Sequence, residues 1–160
     1  MSPLPVVPGQ VIGQYRIVRK IGAGGMGAVF ECVHQTIDRR AALKTLHVDL
    51  GGVPGLALRF FNEARAANRV PHPGVVQVFD CGQLDDGALW LLMEFVDGET
   101  LHARIDAAMQ VPPYGLGLDA LPLLHQLASI LSVAHKHGII HRDLKPSNVM
   151  LVPDPAVRGG

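Results

Sequence analysis

The sequence predicts an α+β fold, in which a five-stranded antiparallel sheet with one inserted helix precedes a mainly helical region. Short segments that alternate apolar and polar residues, separated by turn residues, occupy much of the first ~95 positions. Only one stretch among them has helical spacing. From Glu99 onward the apolar residues recur every three or four positions, which is typical of helices.

The first three predicted strands surround a glycine-rich segment. Residues 15–21 and 28–33 have strand-like patterns, and residues 22–27, which include four glycines, join them. A turn at residues 38–40 leads to the third strand, at residues 41–46. We therefore expect a hairpin with a glycine-rich tip, followed by a neighbouring strand.

The inserted helix is expected at residues 56–70. Leu58, Phe61 and Ala64 recur there at a spacing of three, so they can share one face of the helix. Residues 71–74 carry two prolines and should end the helix, because proline disfavours helical geometry in the residue before it.

Two further strands complete the predicted sheet, at residues 75–79 and 89–96, with a turn at residues 85–87 between them. Helices are then expected at residues 100–109 and 118–137. The second of these is predicted to be a buried core helix, because an apolar stripe runs along it. The stripe consists of Leu121, Leu124, Leu127, Ala128, Leu131 and Ala134.

Composition excludes several classes of function. Acidic and basic residues number 14 each, the formal net charge is zero and no charge run occurs, so we expect no nucleic-acid partner. The longest apolar run, residues 89–93, is too short to span a bilayer, so we expect no membrane contact within these residues and a cytoplasmic location. Cys32 and Cys81 are expected to be free thiols.

The pattern Gly22-x-Gly24-x-x-Gly27 occurs both in dinucleotide-binding folds and in protein kinases. A dinucleotide site requires a helix directly after the loop and an acidic residue ~20 positions further on. Here residues 28–30 favour a strand, and Lys44 stands near the position of the acidic residue. The dinucleotide interpretation is therefore rejected.

The most specific motif is His-Arg-Asp-Leu-Lys-Pro-Ser-Asn at residues 141–148, which matches the catalytic-loop pattern H-R-D-L-x-x-x-N at every fixed position. Together with the glycine pattern and Lys44, it makes the chain resemble the protein serine/threonine kinases, in particular their bacterial branch. A lysine two residues after the aspartate, here Lys145, is typical of the serine/threonine class.

The resemblance implies ATP and Mg²⁺ as cofactors and a set of nucleotide-binding residues. Lys44 would reach the α- and β-phosphates and pair with Glu63, while Met93 would be the gatekeeper behind the adenine pocket. Backbone groups of Glu94 and Val96 would bind adenine. The full set is Ile21, Gly22, Gly24, Gly27, Val29, Ala42, Lys44, Met93, Glu94 and Val96.

The resemblance also assigns roles in the catalytic loop. Asp143 would orient the substrate hydroxyl and accept its proton, Lys145 would contact the γ-phosphate, and Asn148 would hold Mg²⁺. The partners implied are ATP and proteins that present serine or threonine. Residues 1–13 would be a flexible lead-in, residues 14–96 the ATP-binding N-lobe, and residues 97–160 the hinge and part of the C-lobe.

No Asp-Phe-Gly and no Ala-Pro-Glu occurs in the 160 residues. The sequence therefore predicts the N-terminal part of a kinase domain with a truncated α-rich C-lobe, expected to be inactive alone because an Mg²⁺-binding aspartate is missing. The alternative is a short nucleotide-binding or regulatory module that docks to a partner. An Asp-Phe-Gly within ~30 codons after Gly160 would favour the first interpretation, because the family places that motif soon after the catalytic loop.

Overall fold

The structure, a computed structural model, describes residues 6–24, 27–46, 55–112 and 114–153. It divides into two units, the first drawn from residues 1–69 and 76–95 and the second from residues 70–75 and 96–160. The division after Phe95 lies one residue before the predicted boundary. Grouping residues 70–75 with the second unit was not predicted. The tip of the glycine-rich segment, residues 25 and 26, lies outside the described residues.

The first unit contains a single antiparallel sheet. Its strands are β1 (Val11–Ile12), β2 (Tyr15–Gly24), β3 (Gly27–His34), β4 (Arg40–Leu46), β5 (Val78–Gln83) and β6 (Leu89–Glu94). They are ordered β1-β2-β3-β4-β6-β5 across the sheet. All five predicted strands are present. The unexpected sixth strand, β1, pairs with the start of β2, so the prediction of a flexible lead-in at residues 1–13 is wrong for Val11 and Ile12.

Strand β5 lies three residues later than predicted. The Val75 N–H donates to the His72 carbonyl, which closes a turn, and residues 75–77 precede the strand. The strand begins at Val78, whose two backbone groups are both hydrogen-bonded to the Asn68 side chain. The Asn68 Nδ2 donates to the Val78 carbonyl at 2.7 Å, and the Val78 N–H donates to the Asn68 Oδ1 at 2.9 Å.

Both faces of the sheet are covered by apolar side chains. On one face the buried cluster consists of Ile12, Ile17, Phe30, Cys32, Ala41, Leu43 and Leu92. On the other face the sheet packs with helix α1 (Leu56–Asn68), and the buried cluster consists of Leu46, Phe60, Ala64, Leu89 and Leu91. Because both faces are covered, β4 is buried along almost its whole length.

Helix α1 ends near the predicted proline segment, and only some of the apolar residues at the helical spacing are buried. Phe60 and Ala64 are buried, whereas Leu58 is 61% exposed. Each helical residue rotates by about 100°, so Leu58 lies about 200° away from Phe60 and faces away from the sheet. Leu58 therefore does not pack on the sheet with Ala64, which belongs to the buried cluster, or with Phe61, which packs against it.

The second unit is mainly helical. Its elements are β7 (Glu99–Thr100), α2 (Leu101–Ala108), a 3₁₀ turn (Gly117–Asp119), α3 (Ala120–Lys136), a second 3₁₀ turn (Pro146–Asn148) and β8 (Met150–Leu151). Strands β7 and β8 pair with each other. Within the part of the chain that the structure describes, no helix is long and apolar enough to cross a membrane.

The helical stripe of α3 is not the buried core that its spacing predicts. Leu121 and Leu124 are 61% and 59% exposed, and the helix buries Ala134 alone among its described side chains. Its neighbours in the second unit include the preceding 3₁₀ turn and His72, whose ring lies 3.4 Å from the Ser129 hydroxyl. These neighbours cover only part of the helix. The helical spacing of its apolar residues was therefore not enough to predict which of them are buried.

Two substitutions on α1 test this packing. Phe60→Ala is expected to lower the free energy of unfolding by about 3–5 kcal/mol, because it removes a buried ring and leaves a cavity. Leu58→Ala, the matched control, should change it by less than about 0.5 kcal/mol, since that side chain is largely exposed. Urea unfolding measures both, and equal costs would contradict the described face.

Candidate active site

Strand β4 places the predicted phosphate-binding lysine on the same face of the sheet as three other predicted residues. Lys44 pairs with Val29 on β3 and with Leu91 on β6, and Ala42 pairs with Met93. Residues directly opposite on antiparallel strands share a face, and alternate residues of one strand do so too. Val29, Ala42, Lys44 and Met93 therefore lie together on the face that also carries α1.

The three glycines of the loop pattern differ in what the fold requires of them. A side chain at Gly27 would overlap the backbone carbonyl of Thr45, so packing between β3 and β4 excludes any larger residue. A Cβ at Gly24 would meet nothing within 4 Å, and one at Gly22 would make an ordinary contact with Val29. Close packing of β3 against β4 therefore explains why glycine is required at position 27. At Gly22 and Gly24 the missing side chains leave open space that could accept a ligand.

The remaining predicted adenine-binding groups lie at the edges of this unit or beyond it. Ile21 is 40% exposed and sits where the β2–β3 register shifts. Glu94 is the last residue of β6, and its backbone N–H donates to the Gln77 carbonyl at 2.9 Å. If the backbone of Glu94 contacts adenine, the contact must therefore be made by the Glu94 carbonyl. Val96 is half-buried and belongs to the second unit.

The predicted ion pair between Lys44 and Glu63 is not formed in the structure. Glu63 lies on α1 with an exposed side chain, and no ion pair of the described residues joins it to Lys44. Pairing of Lys44 with Glu63 stays a prediction.

The catalytic loop, in the second unit, brings its three predicted residues together. Asp143 Oδ2 lies 2.9 Å from the Lys145 ammonium and 3.1 Å from the Asn148 amide nitrogen, which also donates to the Asp143 carbonyl at 2.8 Å. The Asp143 N–H donates to the His141 carbonyl at 2.8 Å. Between them Arg142 adopts φ 61°, a left-handed geometry that is unfavourable for residues other than glycine.

These contacts set the charge of the loop. The hydrogen bond from Lys145, and after it the one from Asn148, hold the pKa of the Asp143 carboxyl below its usual value. The carboxylate is exposed to solvent and is ionised at neutral pH. It can therefore accept hydrogen bonds or a proton from a hydroxyl group.

Asn148 fits a metal-binding role in part. Because its amide nitrogen donates to Asp143, its Oδ1 is the group left to bind a cation, and amide oxygens are suitable ligands for Mg²⁺. Over the described ranges no group of three or more His, Cys, Asp or Glu residues could hold a metal ion. Mg²⁺ commonly takes only one or two protein ligands together with substrate phosphates and water, so a single protein oxygen is compatible with that coordination.

Sequence reasoning missed one charged cluster in the first unit, on the sheet that carries Lys44. Glu31 is buried on β3 and pairs with Arg19 and Arg40. The available signal was a lone carboxylate within a strand that is otherwise mostly apolar or small, with arginines on both neighbouring strands.

Comparison with known proteins identifies the family. The model of the protein kinase domain matches residues 15–158. The chain belongs to the protein kinase domain family. The protein-kinase-like α+β fold predicted from the sequence is thereby confirmed.

Relatives in this family are bacterial serine/threonine-protein kinases. The chain is 45% identical to pkn2 of Myxococcus xanthus over 139 residues, which are 87% of this chain and 16% of that kinase. It is 35% identical to PrkC of Bacillus subtilis over 142 residues, 89% of this chain and 21% of that kinase. The solved PknI kinase domain of Mycobacterium tuberculosis is 30% identical with a TM-score of 0.78, covering 93% of this chain and 60% of that one.

The chain thus spans about a sixth to a fifth of these two curated relatives and three fifths of the solved kinase domain. Protein kinases in general use ATP and Mg²⁺. The described residues include the glycine segment apart from its tip, Lys44 and the catalytic loop.

The difference between the glycines is testable by substitution. Gly27→Ala is expected to lower the free energy of unfolding by about 1–3 kcal/mol, because the new methyl group would force β3 and β4 apart. Gly24→Ala should leave stability nearly unchanged while weakening nucleotide binding, since it fills space next to the loop. Thermal unfolding and nucleotide titration measure the two effects, and equal destabilisation by both substitutions would contradict this assignment.

The pKa of Asp143 should depend on Lys145. Lys145→Met is expected to raise that pKa toward the usual value of 3.8, because it removes the main hydrogen bond to the carboxylate. Asp143 would then take up its proton at a higher pH than in the parent. Carboxyl carbon shifts in an NMR titration report this change, with Lys20→Met on β2 as the control. An unchanged Asp143 pKa in Lys145→Met would contradict the described contact.

Proposed function

We propose that this chain provides the nucleotide-binding sheet and the catalytic loop of a protein serine/threonine kinase, which transfers the γ-phosphate of ATP to serine or threonine hydroxyls of proteins. The observation that carries the proposal is the cluster of Asp143, Lys145 and Asn148, in which one exposed carboxylate is held by an ammonium and an amide. The names of the bacterial relatives support the choice of serine and threonine.

Phosphoryl transfer depends on positioning and on charge stabilisation more than on covalent chemistry by the protein. In the proposed mechanism the Asp143 carboxylate accepts a hydrogen bond from the substrate hydroxyl, aligns its oxygen for attack on the γ-phosphorus and takes up its proton. The bond from the γ-phosphorus to the β,γ-bridging oxygen breaks as the new bond forms, and ADP leaves. Lys145 is the cation beside that carboxylate, and it would stabilise negative charge on the transferred phosphoryl group.

On the sheet, the proposed nucleotide contacts follow from the shared face. Lys44 would pair with the α- and β-phosphates. Val29, Ala42 and Met93 provide apolar surface on the same face and would pack against the base. The open space at Gly22 and Gly24 would let backbone N–H groups approach the phosphates closely.

Mg²⁺ would be held by the Asn148 amide oxygen together with phosphate oxygens of ATP. When bound, the ion supplies positive charge that neutralises the β- and γ-phosphates. The Asn148 amide nitrogen would keep its hydrogen bonds to Asp143, so this residue would link the metal to the carboxylate that receives the proton.

The direct test is transfer of radiolabelled phosphate from ATP to protein, measured on the protein as its gene encodes it. Asp143→Asn is expected to reduce the rate by about 10²–10⁴-fold, because the amide cannot accept the proton. ATP binding should stay close to the parent value in this variant. Lys44→Met should weaken ATP binding as well as transfer, since it removes a phosphate contact.

The matched control is Lys20→Met, an exposed lysine on β2, which should alter neither quantity. Phosphoamino-acid analysis should find the label on serine and threonine. Full activity in Asp143→Asn, or label confined to tyrosine, would overturn the proposed function.

A further inference from the structure

A buried carboxylate lies beside the strand that carries Lys44. Glu31 on β3 is 7% exposed, and each of its two oxygens faces a different arginine. Arg19 Nε lies 2.8 Å from Oε2, and Arg40 Nε lies 2.9 Å from Oε1. Burying a charge is costly unless it is paired and hydrogen-bonded, so this arrangement fixes the carboxylate between the two guanidinium groups.

The two arginines differ in what else they contact. The Arg40 guanidinium also lies over the Phe95 ring, with its Cζ 4.0 Å from the ring centroid. The planar guanidinium can donate to a carboxylate with its N–H groups while its face covers an aromatic ring. Among the described residues Arg19 makes no such ring contact, and its side chain is 60% exposed.

The contact with Phe95 lies at a functional position. Phe95 directly follows Glu94, where β6 ends, and Ala41, the neighbour of Arg40, pairs with Glu94 across the sheet. Strand ends open readily unless side chains hold them. Arg40 therefore holds Phe95, the residue at which the chain leaves the sheet. Phe95 is next to Glu94, whose backbone carbonyl is proposed to bind adenine.

We propose that Arg40 is a positioning residue for nucleotide recognition. Glu31 holds Arg40, Arg40 holds the Phe95 ring, and the ring fixes the Glu94 carbonyl where it accepts a hydrogen bond from the adenine amino group. The inference rests on the proposed function for its link to ATP. The hydrogen bond to adenine tolerates displacements of only a few tenths of an ångström, so loosening this segment weakens binding of the base.

The binding test compares two ligands in two variants of the full chain. Arg40→Met is expected to weaken ATP binding about three- to tenfold, the size of a partly buried cation–π contact. Binding of inorganic tripolyphosphate, which has no base, should remain at the parent value. Arg19→Met, the matched control, removes the other arginine from Glu31 and should leave ATP affinity within about twofold, because no ring contact is lost.

A second measurement does not depend on nucleotide. Hydrogen–deuterium exchange of the Phe95 amide should accelerate in Arg40→Met, whereas it should stay close to the parent rate in Arg19→Met. If the parent fails to bind ATP, the proposed function fails, while exchange still decides whether Arg40 holds this segment. If the parent binds ATP and Arg40→Met binds it equally well, or exchange is the same in both arginine variants, the positioning role is overturned.

Phe95→Leu keeps the inference testable if Arg40→Met does not fold. It retains both ion pairs and apolar bulk but removes the ring, and it should reduce ATP affinity by a similar factor. Where both single variants fold, the double variant should be little weaker than either, because the two residues act through one contact. Parent-like ATP affinity in Phe95→Leu, or additive losses in the double variant, would refute the inference.

Discussion

Strand β4 is packed on both of its faces, and the position of the residues proposed to bind nucleotide depends on this burial. Ala41 and Leu43 belong to the cluster on one face, while Leu46 belongs to the cluster shared with α1. A shift of register by one residue would move Leu43 out of its cluster and place Lys44 among apolar side chains. The apolar clusters therefore hold Lys44 on the same face of the sheet as Val29.

The same strand carries the charged network at the edge of this face. Arg40 is the first residue of β4, and the registers of β3 and β6 place Glu31 and Phe95 within its reach. The buried carboxylate specifies geometry more than it adds stability, because desolvation offsets most of the attraction to its two arginines. Its role is to hold the Arg40 guanidinium in one orientation over the ring.

The catalytic loop is organised differently. All the contacts described around the Asp143 carboxylate come from residues within five positions in sequence, and the group is open to solvent. Its geometry is therefore local and depends on the backbone turn at Arg142. This explains why a short motif identified the loop correctly, whereas no short motif pointed to the contacts among Glu31, Arg40 and Phe95.

The sequence by itself determined the fold class, the five main strands and the family, because strand alternation and the H-R-D-L-x-x-x-N motif are local properties. Only the tertiary structure decided which apolar residues are buried. Leu58 and the start of the α3 stripe, at Leu121, have suitable spacing but remain exposed, since burial requires a second element to pack against them. The tertiary structure also decided the pairing of Val11–Ile12 with β2 and the contact between Glu31 and Arg40. Both contacts join residues that only the register of neighbouring strands brings together.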